Sequence, residues 1–230
     1  MSLPNKTFSI DEAIKTIADG ASIMLGGFGV PGTPFCLIDA LVKHGAKNLT
    51  IIKNDANETG MGVDHLIQNG QVSRLITTHI GLNANAIEKM NEKQIEVELC
   101  PQGILAERIR SGGAGLIGFL TDIAVGTELA QGKKQYEIDG KKAIFEPALR
   151  ADFALLHADC GDQFGNLTYV STAQNFNPLM AMAADHVIAE VETLKPLGGL
   201  DPNHIHTAGP FVDQVVHLTA LTGEYAIVER

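Results

Sequence analysis

The sequence predicts an α/β fold: a mostly parallel sheet with helices on both faces, giving way to a mixed sheet in its second half. Three observations carry this. Apolar runs of strand length alternate with helical apolar stripes from residue 9 to about residue 110. Glycine, proline and asparagine punctuate most of the junctions. Beyond about residue 130 the pattern changes to short paired strands, with Asp139-Gly140 as a strong hairpin signal.

Taken in order, Ser9-Ile10-Asp11-Glu12 forms a capping-box pattern, opening a helix through Ile14 and Ile17 that stops at Asp19-Gly20. Residues 22–25 read as a short buried strand that ends abruptly in Gly26-Gly27-Phe28-Gly29-Val30-Pro31-Gly32. Pro34 sits where a first-turn proline belongs, and Leu37, Ile38, Leu41 and Val42 supply the apolar stripe of the next helix. Strands are predicted at 49–53, 74–78 and 95–99, and helices at 63–68, 85–91 and 104–110. Residues 136–145 read as the hairpin, and strands at 153–157 and 167–170 flank the turn-rich segment 161–166. A helix at 178–184, with Pro178 near its start, leads into a strand at 185–190. No internal repeat, low-complexity tract or long linker divides the sequence, so residues 1–230 read as one domain.

Composition narrows the function. Hydrophobic residues make up 45% and charged residues 19%, which gives a globular chain rather than a disordered one. A formal net charge of −10 with no basic stripe argues against a nucleic-acid partner, though not against a small phosphorylated molecule held locally. The three cysteines, Cys36, Cys100 and Cys160, are odd in number and widely spaced, fitting neither a disulfide framework nor a zinc knuckle. The segment 1–7 is polar, and no apolar run is long enough to span a bilayer. The expectation is a soluble cytoplasmic protein without a membrane partner.

The glycine loop permits three readings. Gly27-x-Gly29-x-x-Gly32 follows a strand and precedes a helix, as a dinucleotide-binding loop does, and Asn54-Asp55 lies near the end of the next strand, where a ribose-binding acid belongs. Against this, Pro31 removes an amide and biases Val30 away from helical geometry, and Pro34 postpones the helix beyond the third glycine. A second reading is a loop kept thin so that strand and helix can pack. The third is that absent side chains let a bulky ligand approach the backbone, which is compatible with the second.

The stretch from Asp19-Gly20 through Ile23-Met24-Leu25-Gly26-Gly27-Phe28 to Gly32-Thr33-Pro34 resembles the α-subunit signature of family I (3-oxoacid) coenzyme A transferases at every specified position. The likeness extends along nearly the whole chain. It includes Asn54-Asp55, His79-Ile80-Gly81, Pro101-Gln102-Gly103, Gly112-Gly113-Ala114-Gly115 and Asn175-Phe176-Asn177-Pro178. Several of these are most similar to acetate/acetoacetate-type subunits. One departure is Thr121-Asp122-Ile123-Ala124, where similar subunits carry Thr-Pro-Thr-Gly.

The resemblance implies a fold shared with sugar-phosphate isomerases and an enzyme that moves CoA between short-chain carboxylic acids. Acetyl-CoA or butyryl-CoA and acetoacetate are the expected pair, with succinyl-CoA:3-ketoacid transfer as the alternative and an NAD(P)-linked oxidoreductase as the runner-up from the loop. A single-chain sugar-phosphate isomerase and a non-catalytic CoA-thioester binding module are the remaining alternatives. The implied nucleophile is a glutamate on a β-subunit partner, in an α2β2 assembly. No cofactor is bound permanently, and CoA arrives on the substrate. Gln102 is implied as an oxyanion-hole donor, against the local alternative that it merely caps the following helix. Gly26, Gly27, Phe28, Gly29, Val30, Pro31 and Gly32 are implied as the CoA-binding wall, and Asn54 as a substrate-pocket residue.

Other candidates carry less. Glu58, in Asn57-Glu58-Thr59-Gly60, mimics a nucleophile setting but follows the wrong strand, and is expected as a surface or interface carboxylate. Arg108 and Arg110 suit a helix C-terminus as well as a phosphate. His204 and His206 supply two ligands without a third, so no metal site is expected. Cys36 and Cys100 read as core thiols.

Overall fold

The computed structural model describes residues 5–225; the first four residues of the polar start lie outside it. Helix α1 (Ile10–Ile14) opens on the expected capping box: Ser9 Oγ accepts the Glu12 amide, and Glu12 reaches back to the Ser9 amide. It is shorter than the stripe suggested, although Ile17 is still buried. The chain then alternates through β1 (Ser22–Leu25), α2 (Phe35–His44), β2 (Leu49–Ile52), α3 (Val63–Gln68), β3 (Val72–Thr77), α4 (Ala84–Asn91) and β4 (Glu96–Leu99). Helix α5 (Gln102–Gly113) is followed by β5 (Gly118–Thr121), β6 (Gln135–Ile138) and β7 (Lys141–Pro147). Next come β8 (Ala151–Asp162), β9 (Leu167–Thr168), α6 (Asn177–Ala183), β10 (Ala184–Lys195) and β11 (Gln214–His217).

The main sheet has the order β11-β10-β8-β1-β2-β3-β4, every neighbouring pair parallel, with β9 added antiparallel to β8. From β1 the chain winds outward to β4 in one direction, and later returns to fill the other side with β8, β10 and β11. The order therefore reverses between β1 and β8, and a crevice opens at the carboxyl ends of the strands on either side of such a point. A separate antiparallel sheet, β5-β7-β6, contains the hairpin; Asp139 and Gly140 both have positive φ, as its two-residue turn requires.

Strand residues alternate between two cores. Ile23, Leu25, Ile51, Leu75, Leu155 and Ile188 pack under α1 to α4. Met24, Ile52, Ile76, Ala154, Leu156 and Val187 face α5 and α6 on the other side. Burial on both faces explains why the central strands are continuous apolar runs. Each fully buried Leu or Ile contributes about 1.5–3 kcal/mol of transfer free energy. Among the described residues no helix is long and apolar enough to cross a membrane.

Candidate active site

A cleft of about 660 Å³ opens at the strand-order reversal. One wall is the loop after β1, from Phe28 to Gly32; Asp55, Asn57 and Glu58 after β2, and His79 after β3, continue it. His157 of β8 and Glu192 of β10 face it from the other half of the sheet, together with Val170, Ala173 and Tyr225. Phe28, Leu82 and Val170 are exposed at its edge. Among the described residues the lining contains no lysine or arginine.

The loop is glycine-rich for steric reasons that differ by position. Gly27 has φ +99°, and a Cβ there would lie 2.1 Å from Thr33 Oγ1. Gly29 has φ +60° and open space where a side chain would stand, so its bare backbone faces the cleft. Both polar groups of Gly29 are clasped. Its amide donates to Asp55 Oδ2 at 2.9 Å, and its carbonyl accepts from Asn57 Nδ2 at 3.1 Å and Thr33 Oγ1 at 2.7 Å.

Asp55 is the electrostatic centre of this wall. It also accepts from Asn54 Nδ2 at 3.0 Å, from the Asn57 amide at 2.9 Å and from Lys53 Nζ at 3.3 Å. Burial alone would raise its pKa, but the Lys53 ammonium and these amide donors outweigh that and hold the carboxyl at about 2. Lys53 is fully buried, and desolvation draws its ammonium below the ordinary lysine range despite the facing carboxylate.

The implied site residues do not all share one surface. Phe28, Gly29, Val30, Pro31 and Gly32 line the cleft, whereas Gly26 and Gly27 lie outside its lining. Asn54 is fully buried beneath it. Gln102 is exposed, as the first residue of α5, and lies outside the cleft lining. Pro101 caps that helix without a side-chain hydrogen bond, and the Gln102 amide instead donates to Asn54 Oδ1 at 2.6 Å. A row of hydrogen bonds, Gln102–Asn54–Asp55–Gly29, thus connects the start of α5 to the glycine loop.

A second cluster was not singled out from sequence. His157 Nδ1 lies 2.9 Å from Glu190 Oε1, and Nε2 lies 3.1 Å from Glu192 Oε1. Burial would lower the imidazole pKa, but Glu190 and then Glu192 outweigh it and hold the proton above the ordinary histidine range. The Tyr225 hydroxyl bonds to Glu190, and its ring lies tilted against His157 with centroids 4.7 Å apart. Glu224 anchors this last turn through His65 Nε2 at 2.6 Å and the Gly62 amide at 3.2 Å.

This cluster also corrects the dinucleotide reading. In such a loop the helix amides receive a pyrophosphate. Here the Phe35 amide at the start of α2 donates to Tyr225 Oη at 3.0 Å, and the Leu37 amide donates to Glu190 Oε2 at 2.8 Å. The protein's own carboxylate fills the anion position, and Asp55 is turned to Gly29 rather than outward. Further placements differ from, refine or match the sequence reading. Glu58, expected on the surface or at an interface, is half-buried and borders the cleft. Arg108 is buried against Glu98 at 2.6 Å, and Arg110 pairs with Glu107 along the helix. His204 bonds Asp201 while His206 accepts the Tyr169 amide, so the two do not converge. Cys36 and Cys100 are buried, as expected of core thiols.

A coenzyme A transferase family model matches residues 7–218. A probable coenzyme A transferase subunit alpha from Bacillus subtilis (strain 168) is 46% identical over 222 residues, covering 96% of this chain and 97% of its own. An acetate CoA-transferase subunit alpha from Escherichia coli (strain K12) is 44% identical over 214 residues, covering 93% and 97%. Among solved structures, an acyl-CoA transferase from E. coli O157:H7, in a thioester complex with CoA, superposes with a TM-score of 0.85 at 23% identity. That alignment covers 99% of this chain and spans half, 50%, of the longer one. The last comparison establishes the fold, and the first three establish descent: this chain belongs to the coenzyme A transferase family, aligning over nearly its whole length with α-type subunits.

Proposed function

We propose that this chain is the α subunit of a heteromeric enzyme that moves CoA between short-chain carboxylic acids, acetyl-CoA or butyryl-CoA and acetoacetate being the expected pair. The observation that carries this reading is a cleft at the strand-order reversal walled by bare loop backbone whose own carboxylate, Asp55, is already committed to four donors. A β-type partner supplies the nucleophilic glutamate, and two copies of each chain assemble as α2β2 in the cytoplasm. CoA arrives on the substrate, with no cofactor bound between turnovers.

In the proposed cycle the partner's glutamate carboxylate attacks the thioester carbonyl. The C–S bond breaks, leaving an acyl-glutamyl anhydride and the CoA thiolate. The thiolate then attacks the glutamyl carbonyl and releases the first acid, giving a glutamyl-CoA thioester. A second carboxylate collects CoA by the same steps in reverse. Charge develops on the carbonyl oxygen at each addition. An amide donor such as Gln102, aimed at that oxygen, is worth about 3–4 kcal/mol of barrier. Holding the reactants against the loop supplies effective concentration, which a free carboxylate in water lacks.

The lining also bears on the acyl group. Apolar Val30, Met61, Leu82 and Val170 suit a short aliphatic chain. A succinyl group would bring a second carboxylate toward Asp55 and Glu192, with no lysine or arginine among the described lining residues to receive it. Monocarboxylic substrates are therefore favoured over the succinyl alternative.

The test is reconstitution. The chain alone is expected to show no transfer, and addition of a β-type subunit to restore acetoacetyl-CoA formation from acetyl-CoA and acetoacetate. Mass spectrometry of the trapped intermediate is expected to locate the CoA adduct on the partner. An adduct on Glu58, or brisk turnover by the lone chain, overturns this division of labour. Competition among acetate, butyrate and succinate then reads the acyl preference.

A further inference from the structure

Asn177 does not line the cleft, yet its side chain holds three segments that do. It is fully buried at the first position of α6. Its Nδ2 donates to the Gly32 carbonyl at 3.1 Å and to the Ala173 carbonyl at 2.9 Å, and its Oδ1 accepts from the His157 amide at 3.4 Å. Gly32, Ala173 and His157 belong to the glycine loop, to the turn before α6 and to β8, and all three border the cleft. The neighbouring Asn175 Nδ2 takes the next carbonyl along the loop, Pro31 O, at 2.9 Å.

The glycines on the other side of this contact are shaped by the same amide. A Cβ on Gly26 would stand 2.0 Å from Asn177 Oδ1, and one on Gly32 would stand 2.6 Å from Asn177 Nδ2. Gly26 has no positive φ, so its requirement for glycine is steric and is set by Asn177 alone among the nearest atoms. Gly32 combines positive φ with this close approach. Only a carboxamide offers two donors and an acceptor in this plane. An aspartate would set negative charge against two carbonyls, and an apolar residue would take this partner from the buried Gly32 carbonyl and His157 amide and from the part-buried Ala173 carbonyl.

We propose that Asn177 is the positioning residue of the cleft: one buried amide that fixes the glycine loop, the turn at Ala173 and β8 relative to one another, so that the loop backbone is held ready for the thioester. The catalytic half of this proposal rests on the thioester reading of the cleft; the clamping half stands on geometry alone.

The experiment separates clamping from bulk stability by refilling the space. Gly26→Ala, Asn177→Ala and the double variant are compared with wild type, each assembled with a β-type subunit. Gly26→Ala alone is expected to lower Tm, because its methyl meets the Asn177 amide. In the Asn177→Ala background the same change meets no amide, and is expected to cost nothing or to recover Tm. Amide hydrogen exchange of Phe28 and Thr33, whose loop bonds run to Pro31 O and Val30 O, is expected to quicken about tenfold or more in both Asn177 variants. The Lys53 amide, bonded to Ile76 O in the sheet, is expected to keep its rate. Turnover is expected to fall about tenfold to a hundredfold in kcat/KM for the acyl-CoA and to stay low in the double variant.

A double variant with recovered Tm, wild-type exchange in the loop and wild-type kcat/KM would reduce Asn177 to packing and overturn the proposal. Equal damage by Gly26→Ala in both backgrounds would overturn it too, since the steric coupling would be absent. If the wild-type assembly transfers no CoA while loop exchange responds as described, the thioester reading falls and the clamp stands.

Discussion

Gln102 Nε2 donates to Asn54 Oδ1 at 2.6 Å, tying the exposed first residue of α5 to a fully buried amide just beyond β2. Asn54 in turn donates to Asp55, and Asp55 accepts the Gly29 amide. The orientation of the outer amide and that of the loop are therefore set by one row of dipoles, in which each bond fixes which way the next group points.

Gln102→Ala is expected to lower kcat about a hundredfold while changing acyl-CoA affinity much less, the signature of an interaction made mainly in the transition state. Gln102→Glu places a carboxylate against Asn54 Oδ1 and is expected to cost at least as much. Steady-state kinetics on the assembled enzyme decide it. An unchanged kcat in the alanine variant removes Gln102 from the reaction.

The glycine loop was legible in the sequence because glycine reports backbone geometry directly: Gly27, Gly29 and Gly32 all carry positive φ. The central strands were legible because burial on both faces leaves an unbroken apolar run. Two strands escaped. Gln214–His217 has only Val215 and Val216 between polar ends, and Gly118–Thr121 itself begins on a glycine close behind the cluster at 112–115. Helix α5 starts two residues earlier than its stripe, because Pro101 caps it without a side-chain signal. The His157–Glu190 pair was hidden for a topological reason. The two are 33 residues apart, and only the parallel pairing of β8 with β10 sets them side by side in register. One trace of it was present, a lone polar residue interrupting each apolar strand, at Leu156-His157-Ala158 and Ala189-Glu190-Val191.

Asp55 makes stability depend on acid in a defined window. Its folded carboxyl sits at about 2, below the ordinary aspartate value, so the stabilisation is complete above about pH 4 and is lost as pH falls toward 2. The titrating part amounts to about 2 kcal/mol. Asp55→Asn also strands the Lys53 ammonium, and is expected to cost about 3–5 kcal/mol near neutral pH. Urea midpoints from pH 7 to pH 3 are expected to show a constant gap between wild type and variant that narrows only below about pH 4. A gap independent of pH would mean that the carboxylate charge does not act through Lys53 and the amide donors.

His157 titrates with the opposite sign. Its folded pKa is raised by Glu190 and Glu192 beyond what burial takes away, so its contribution is full below about pH 6.5 and declines as pH rises through the folded value. The stability gap between wild type and His157→Gln is expected to be widest near pH 6 and to shrink in alkali. The imidazole proton signals followed by NMR are expected to give a midpoint above 6.5. A midpoint below that value would show that desolvation wins over the two carboxylates.

Ala124 holds φ +68°, a left-handed conformation that favours glycine. The turn around it is well bonded: the Thr127 amide and Thr127 Oγ1 both donate to the Ala124 carbonyl, at 3.0 Å and 2.7 Å. These bonds offset the roughly 1–2 kcal/mol that an L-residue with a Cβ pays there. Ala124→Gly relieves that strain but gives the unfolded chain more freedom, at about 0.5–1 kcal/mol. The net expectation is a gain of about 0.5–1 kcal/mol and a rise in Tm of about 1–3 °C. Ala124→Val, whose branched Cβ suits this region worst, is expected to shift Tm downward by more than that. Neither change touches the cleft lining, so kcat/KM is expected to stay at the wild-type value in both. A lower Tm for the glycine variant, measured by thermal melting of the same assembly, would mean that the methyl of Ala124 stabilises the loop by more than its backbone strain costs.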